Sequence, residues 1–230
     1  MIRRGIVTGA SRGLGLALTR ALSERGWRLA VDARGEETLE HAVAGLDGVV
    51  AVAGDIADPE HRRRLVEAAG EPINLLVNNA SVLGALPLPP LAEYPLEDLR
   101  RTYEINVLAP LALVQLALPH LADSARIVNL TSDAAVEAYP YWGGYGSSKA
   151  ALAQLTAVLG VEHADLRVYA VDPGDMRTQM QQEAFPGEDI SDRPPPEESV
   201  PGLLALIDGD EPSGLYRAHD LVVAALPEPA

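Results

Sequence analysis

The sequence predicts a single doubly wound α/β domain: a seven-stranded, mostly parallel sheet with helices on both faces. Three observations carry that prediction. Short apolar runs alternate along the chain with longer segments in which apolar residues recur at helical spacing. The first run leads straight into a glycine-rich turn, Thr8-Gly9-Ala10-Ser11-Arg12-Gly13-Leu14-Gly15, ahead of the first helical pattern. Composition agrees, because 47% hydrophobic and 22% charged residues over 230 positions suit one core under a solvated surface. Alternating strands and helices make βαβ units, and right-handed crossovers spread the helices over both faces of a parallel sheet.

The first strand is expected at Gly5–Thr8, an apolar run ended by Gly9, and the first helix at Leu14–Arg25. Arg28–Val31 is the second strand and Glu36–Gly45 the second helix. The unbroken apolar run Val49–Ala53 is the third strand, followed by a helix over Pro59–Ala69. Ile73–Val77 is the fourth strand, followed by a long helix over Leu96–Leu121. Arg126–Leu130 is the fifth, with a helix over Tyr145–His163, and Leu166–Val171 is the sixth. Gly214–His219 is a weaker seventh. Between the last two lies Gln179–Ser199, where Phe185-Pro186-Gly187 and Asp192-Arg193-Pro194-Pro195-Pro196 break helix and central strand alike. A long irregular loop leaving a strand's carboxyl end sits where such sheets bind ligands, so residues 179–199 are expected to form a substrate lid. No linker or repeat divides the chain, and residues 1–230 read as one unit.

A net charge of −15 argues against a nucleic-acid partner, which needs a basic face. The chain has no cysteine, which removes thiolate catalysis and cysteine-ligated metals. Its five histidines (His41, His61, His120, His163, His219) lack metal-site spacing and read as surface or helix-end residues, so no metal is expected. The N-terminus runs into Ile6-Val7-Thr8 without a signal-like apolar stretch, and no uninterrupted apolar run spans a bilayer. The expected compartment is the cytoplasm.

In the first βα turn, Gly9 permits the tight turn, Gly13 lets backbone approach a diphosphate, and Gly15 lets the helix pack closely. The helix N-terminus then offers free N–H groups to an anion. Arg12 inside the turn and Arg34 just past the second strand favour a 2′-phosphate, hence NADP(H). Asp32 is the counter-argument, since a carboxylate at this strand end can bind ribose hydroxyls and repel the phosphate; it keeps NAD(H) open.

Tyr145 and Lys149 lie four residues apart, on one face of a helix. A free phenol has a pKa of ~10 and is a poor acid or base at neutral pH. A neighbouring ammonium favours the phenolate and is expected to lower that pKa. Lys149 is the only lysine among 18 basic residues. Arginine's planar fork does not replace a compact ammonium, which makes this placement hard to ascribe to chance. Tyr139 and Tyr141 have no lysine four positions on and are expected, with Trp142, to wall a pocket that Leu83 and Phe185 extend. Asn106, within the long helix and amid apolar residues, needs a hydrogen-bond partner.

The Gly-x-x-x-Gly-x-Gly spacing and the Tyr-x-x-x-Lys pair together resemble the short-chain dehydrogenase/reductase family, in its compact subgroup, over nearly the whole chain. The resemblance implies a Rossmann-type domain and hydride transfer between NADP(H) and a small carbonyl or alcohol. It implies cofactor contacts from the loop residues Gly9, Ser11, Arg12, Gly13, Leu14 and Gly15, and from Arg34. The family's NAD-selecting acid falls at Ala33, which again favours NADP(H). It also implies adenine contacts at Asp55 and Ile56, and a cofactor-side, sheet-stabilising role for Asn78, Asn79 and Ala80. The next residue is usually glycine and is Ser81 here. Ser132, thirteen residues before Tyr145, matches the serine that holds the substrate oxygen, and Asn106 the asparagine at a helix kink whose water links the lysine to solvent. Pro173, Gly174, Met176 and Thr178 match the segment that flanks and orients the nicotinamide. Tyr145 and Lys149 touch both cofactor and reacting atoms, and Ser132, Tyr139, Trp142, Tyr145 and Phe185 face the substrate.

Two rival readings stand beside this one. A non-catalytic dinucleotide-binding regulator would keep the glycine turn and need not keep Ser132, Tyr145 and Lys149. An epimerase or dehydratase usually carries a larger C-terminal domain, and few residues remain after Thr178. Trp142 and the glutamine-rich start of the lid resemble the sepiapterin and benzil (diketone) reductase branch. Gly214–Asp220 departs from the glycine-rich ending found at a tetramer contact, so a homodimer through Leu96–Leu121 and Tyr145–His163 is expected.

Overall fold

The computed structural model describes residues 2–224, and their side chains as far as residue 221. Seven strands form one sheet in the order β3-β2-β1-β4-β5-β6-β7: β1 Arg4–Val7, β2 Arg28–Ala33, β3 Val49–Ala53, β4 Ile73–Asn78, β5 Leu121–Leu130, β6 Arg167–Asp172 and β7 Gly214–Arg217. Every pairing is parallel. The sheet is therefore buried on both sides, and adjacent residues in a strand serve opposite cores. Val7, Val31, Val77 and Val128 join the helices α1 (Gly13–Glu24), α2 (Glu36–Val43) and α8 (Val200–Asp208). Ile6, Ala30, Leu76 and Ile127 join α3 (Pro59–Ala69) and α5 (Ala109–Ala117) on the other face. Burying each of the valine, leucine and isoleucine side chains among these contributes about 1.5–3 kcal/mol.

The long helix differs from its expected form. It runs from Leu96 to His120 but changes pitch: α4 (Leu96–Tyr103), a π-helical turn at Glu104–Leu108, α5, and a 3₁₀ turn at Leu118–His120. The cause is local. Pro110 has no N–H for the carbonyl of Asn106 four residues back, and Ala109 N instead donates to Glu104 O, five back. By length and composition this run is long and apolar enough to cross a bilayer, but half of its apolar window is buried inside the domain. Ile105, Val107, Ala109, Leu113 and Ala117 are all core residues. The chain then enters β5 at Leu121, five residues earlier than expected, through a bulge between Ile73 and Leu75 of the partner strand.

Two further elements correct the expected map. The segment 179–199 is not wholly irregular. It opens with α7 (Gln179–Ala184), capped by Thr178, whose hydroxyl accepts from Gln181 N at 3.3 Å. It closes with a 3₁₀ turn at Pro196–Ser199 that leads into α8, a core helix the apolar patterning left unassigned. At the far edge β7 stops at Arg217, and His219 belongs to α9 (Ala218–Ala224). The α6 helix spans Gly143–Glu162, so it begins two residues before Tyr145.

Candidate active site

Strand order reverses between β1 and β4, and the cleft outside their carboxyl ends is where this architecture receives ligands. The glycine turn lines it, at backbone distance from its neighbours. A Cβ on Gly15 would lie 2.4 Å from Gly9 O, and one on Gly9, at φ +69°, would lie 2.9 Å from Ala80 Cα. Asn79 Nδ2 donates to Thr8 O and Gly9 O at 2.8 and 3.1 Å, while the Thr8 hydroxyl accepts from the backbone of Asn79 and Ala80. The first turn of α1 has no side-chain cap, so its N–H groups face the cleft unclaimed by side chains.

Asp32 does not play the part weighed for it. It is buried, with one oxygen accepting from Gly9 N at 2.7 Å and the other paired with His61 Nε2 at 2.9 Å. A carboxylate bonded on both sides by the chain is not presented to a ribose. It fastens the glycine turn to α3. His61, expected on the surface, is 1% exposed. Gly54 makes room for it, since a Cβ there would stand 2.2 Å from His61 Nδ1.

Other expected cofactor residues divide in the same way. Arg34 is exposed at the end of β2. Asp55 accepts from Ala57 N at 2.9 Å and from the Arg101 guanidinium, so the chain already uses both oxygens. Burial pushes its carboxyl up, but the Ala57 N–H, Arg101 and Arg34 outweigh that and hold it below the ordinary value. The Ile56 side chain is core. Asn78 is turned inward, donating to Asn129 Oδ1 at 2.7 Å, and Asn129 in turn donates to Thr156 on α6. This bridge holds β4, β5 and α6 together inside the domain. Arg12 hydrogen-bonds Gln179 at the start of α7, and the Thr178 methyl carbon lies 3.6 Å from where a Gly13 Cβ would be.

The chemical end is a cavity of about 280 Å³ between β5, β6, α6 and α7. Ser132, Tyr145, Trp142, Tyr139, Phe185 and Leu83 line it, with Pro173, Gly174, Met176 and Thr178 along one side. Trp142 packs against Tyr145 edge-on and against Phe185, with ring centroids 5.8 and 5.9 Å apart. Tyr141 is exposed at φ +72° and is not part of the lining, which corrects its expected role. Tyr139 donates to Asp133 and Glu137 at the rim.

Lys149 is buried behind Tyr145. Its Nζ donates to Leu130 O at 2.8 Å and sits 5.5 Å from the centre of the Tyr145 ring. Burial pulls the ammonium down to about 7. The phenol moves opposite to expectation: burial raises it above its ordinary value, and the negative charges of Asp172 and Asp133 raise it further. The hydroxyls of Ser132, which lines the same cavity, and Ser81 offset part of that rise. Ser132 also donates to Asp133 Oδ1 at 2.9 Å. Asn106 lies at the expected kink, and its side-chain amide is bonded to protein at both ends. Oδ1 accepts from Val82 N and Ser81 Oγ, and Nδ2 donates to Val82 O and Ser148 Oγ.

A family model described as short chain dehydrogenase matches residues 4–189. The chain belongs to that family. Among its relatives, 2-(R)-hydroxypropyl-CoM dehydrogenase of Xanthobacter autotrophicus is 36% identical over 79% of this chain and 78% of its own. Benzil reductase of Bacillus subtilis is 30% identical over 76% and 75%. A short chain dehydrogenase from Escherichia coli CFT073, solved with NADPH, superposes with a TM-score of 0.84 at 27% identity, covering 94% of this chain and 96% of that one.

As a short-chain dehydrogenase the chain is an oxidoreductase with a Rossmann-type domain. Sequence reasoning missed four residues that shape this site: His61, Arg101, Ser81 and Asp172. Gly54 was the only signal for His61. Arg101 reaches Asp55 across 46 positions and left none. Ser81 was visible as a departure from glycine without a stated use. Asp172 stood directly before the Pro173-Gly174 segment and was passed over.

Proposed function

We propose that this short-chain dehydrogenase reduces an uncharged ketone or aldehyde with NADPH, or oxidises the corresponding alcohol, with Tyr145 as the proton donor and acceptor. One observation carries the reading: Tyr145 lines the cavity together with Ser132 and is backed by the single lysine. The cleft fits a dinucleotide, because the Gly9–Gly15 turn keeps backbone where any side chain would intrude and leaves the α1 N-terminus uncapped. When bound, the nicotinamide supplies or takes the hydride. The chain does the rest. Ser132 orients the carbonyl oxygen, Tyr145 gives it a proton as charge develops, and Lys149 sets the electrostatics behind the ring.

Preference for NADP(H) rests on Arg12 and Arg34 and on the sequestering of Asp32, which removes the main argument for NAD(H). The relative solved with NADPH supports it. The aromatic and apolar walls suit a substrate with an apolar or aromatic body. Asp133 and Asp172 in the lining disfavour an anionic one. Residues 179–199 serve as a lid, with Met180 and Ala184 of α7 packed against the Tyr145 cluster. Assembly as a homodimer through the long helices accords with the exposed Leu96, Leu108 and Val161. A cytoplasmic setting, with its NADPH supply, completes the reading.

The test is NADPH consumption against a panel of ketones, diketones and pterins, with Tyr145→Phe alongside. Turnover by the wild type, lost in Tyr145→Phe with NADPH affinity intact, is the expected result. An active phenylalanine variant, or tighter binding of NADH than NADPH, would sink the corresponding part of the reading.

A further inference from the structure

A second concave site lies at the amino ends of β1, β2 and β3, the opposite end of the strands from the cleft. Arg4 and Arg28 are the first residues of β1 and β2 and are Cα partners in the parallel ladder. Such partners stand about 4.8 Å apart and point to the same face of the sheet. Two residues further on, Ile6 and Ala30 belong to the core under α3, so both arginines lie on the α3 side. There they line a cavity of about 470 Å³, with Gly48 and Val50 on the β3 side and Ala68 and Gly70 at the end of α3. Two glycines keep room beside them. A Cβ on Gly70, which caps α3 at φ +66°, would lie 3.6 Å from Arg4 Nε, and one on Gly48, at φ +73°, would lie 3.7 Å from Arg28 Cγ.

Among the described residues neither guanidinium has an ion-pair partner. The carboxyl end of α3 attracts one cation, which accounts for Arg4. A second beside it is unfavourable, because like charges at opposite positions of neighbouring strands destabilise a sheet. The two cavities also have contrary linings. Asp133, Asp172 and Asp175 line the catalytic one without a basic residue, and the two arginines line this one without an acid. The chain's net charge of −15 repels anions, so an anion has to be held by a local pair such as this. We propose that the cavity binds a small phosphorylated molecule, with Arg4 and Arg28 clamping its phosphate and Val50 and Ala68 against the body that carries it. A phosphate presents separate oxygens to two forked guanidiniums, whereas one fork already satisfies a carboxylate. The volume is in the range of small-molecule sites. This inference is independent of the chemistry at Tyr145.

Calorimetric titration with phenyl phosphate and with inorganic phosphate tests it. Phenyl phosphate should saturate one site with a Kd on the order of 1 mM or below, and inorganic phosphate, lacking the apolar body, should bind the same site more weakly. Arg4→Gln and Arg28→Gln should each weaken phenyl phosphate by about tenfold or more. Val50→Glu, at a half-exposed position on the same face, supplies the pair with an internal carboxylate and should abolish binding with both arginines in place. Arg20→Gln removes a charge from the exposed side of α1 and should bind as the wild type does. The thermal midpoint of the wild type should rise by about 3–5 °C at tenfold excess of phenyl phosphate over its Kd, and that of Arg28→Gln should not. Lack of saturation up to about 20 mM overturns the proposal. So does equal weakening by Arg20→Gln, which would make net charge the cause. Binding that survives the Arg4→Gln, Arg28→Gln double variant, or that NADPH displaces, overturns it by assigning the phosphate to the glycine turn. Capture by phosphatidate vesicles without binding of either soluble probe overturns it by assigning the arginines to a membrane surface.

Discussion

The two ends of the cleft are built from different materials. At the glycine turn the surface is backbone. Its shape is held by hydrogen-bonded side chains, with Asp32 between Gly9 N and His61, and Asn79 on the Thr8 and Gly9 carbonyls. At the cavity the surface is side chain, and the groups that matter are poorly compensated: a buried lysine with one carbonyl partner, and a phenol among carboxylates. The first end is thus expected to tolerate changes of pH and fail on changes of shape. The second should tolerate small changes of shape and respond to every change of charge.

The largest effects should separate the ends most sharply. Gly15→Ala places a carbon 2.4 Å from Gly9 O, against backbone that cannot swing aside, and should abolish NADPH binding as read by cofactor fluorescence. Tyr145→Phe removes one oxygen from a cavity wall and should leave that binding intact while turnover falls by about 10²–10⁴. Equal loss of binding in both variants would erase the distinction.

Next in size is the buried staple. Asp32→Ala strips partners from the half-buried Gly9 N–H and from the buried His61. It should cost about 3 kcal/mol in urea unfolding, because breaking a buried pair leaves its other half desolvated. NADPH affinity should fall with it, since the glycine turn loses its anchor. A stability change under about 0.5 kcal/mol, the size usual for surface sites, would show that the pair holds nothing.

How much of this was legible beforehand follows the same division. Glycine spacing announced the backbone-built end, because Gly9 and Gly13 take positive φ and Gly15 packs directly on the Gly9 carbonyl. Strand and helix bounds such as Val49–Ala53 and Pro59–Ala69 were readable because an unbroken apolar run and helical periodicity are local patterns. The Tyr145–Lys149 pair was legible through helical spacing and the rarity of lysine. The Asp32–His61 staple was not, since its partners are 29 positions apart and come together only through the β2–α3 crossover. The sign of the Tyr145 shift was missed for a related reason: spacing reveals a lysine nearby, but burial and the Asp172 charge are properties of the packed cavity. The same holds for α8, whose apolar Leu203, Leu204, Leu206 and Ile207 become a core helix only once α1 lies beneath them.

The smaller predictions probe the charge-sensitive end. Burial holds Lys149 near 7 in the folded protein, while the unfolded chain's lysine keeps its proton up to about 10.5. Between those values the unfolded state binds one more proton, so stability should rise with pH by about 1.4 kcal/mol per unit from this group alone. Below 7 both states are charged and the contribution is flat. Lys149→Met should lose that slope, and unfolding midpoints at pH 7, 8 and 9 for the two chains should diverge in favour of the wild type as pH rises. Parallel curves would mean that the ammonium stays charged in the interior.

The smallest expected change is at Asp172. Its charge raises the Tyr145 phenol, and burial, helped by the nearby Asp133 charge, raises its own carboxyl. Asp172→Asn keeps the shape and removes the charge. The phenolate then meets less repulsion, so the rising limb of the pH–rate profile for alcohol oxidation should move about half a unit to lower pH. If Asp172→Asn moves the limb upward, Asp172 serves by orienting Gly174, whose N–H it accepts at 2.9 Å, and the charge it carries is incidental to the chemistry.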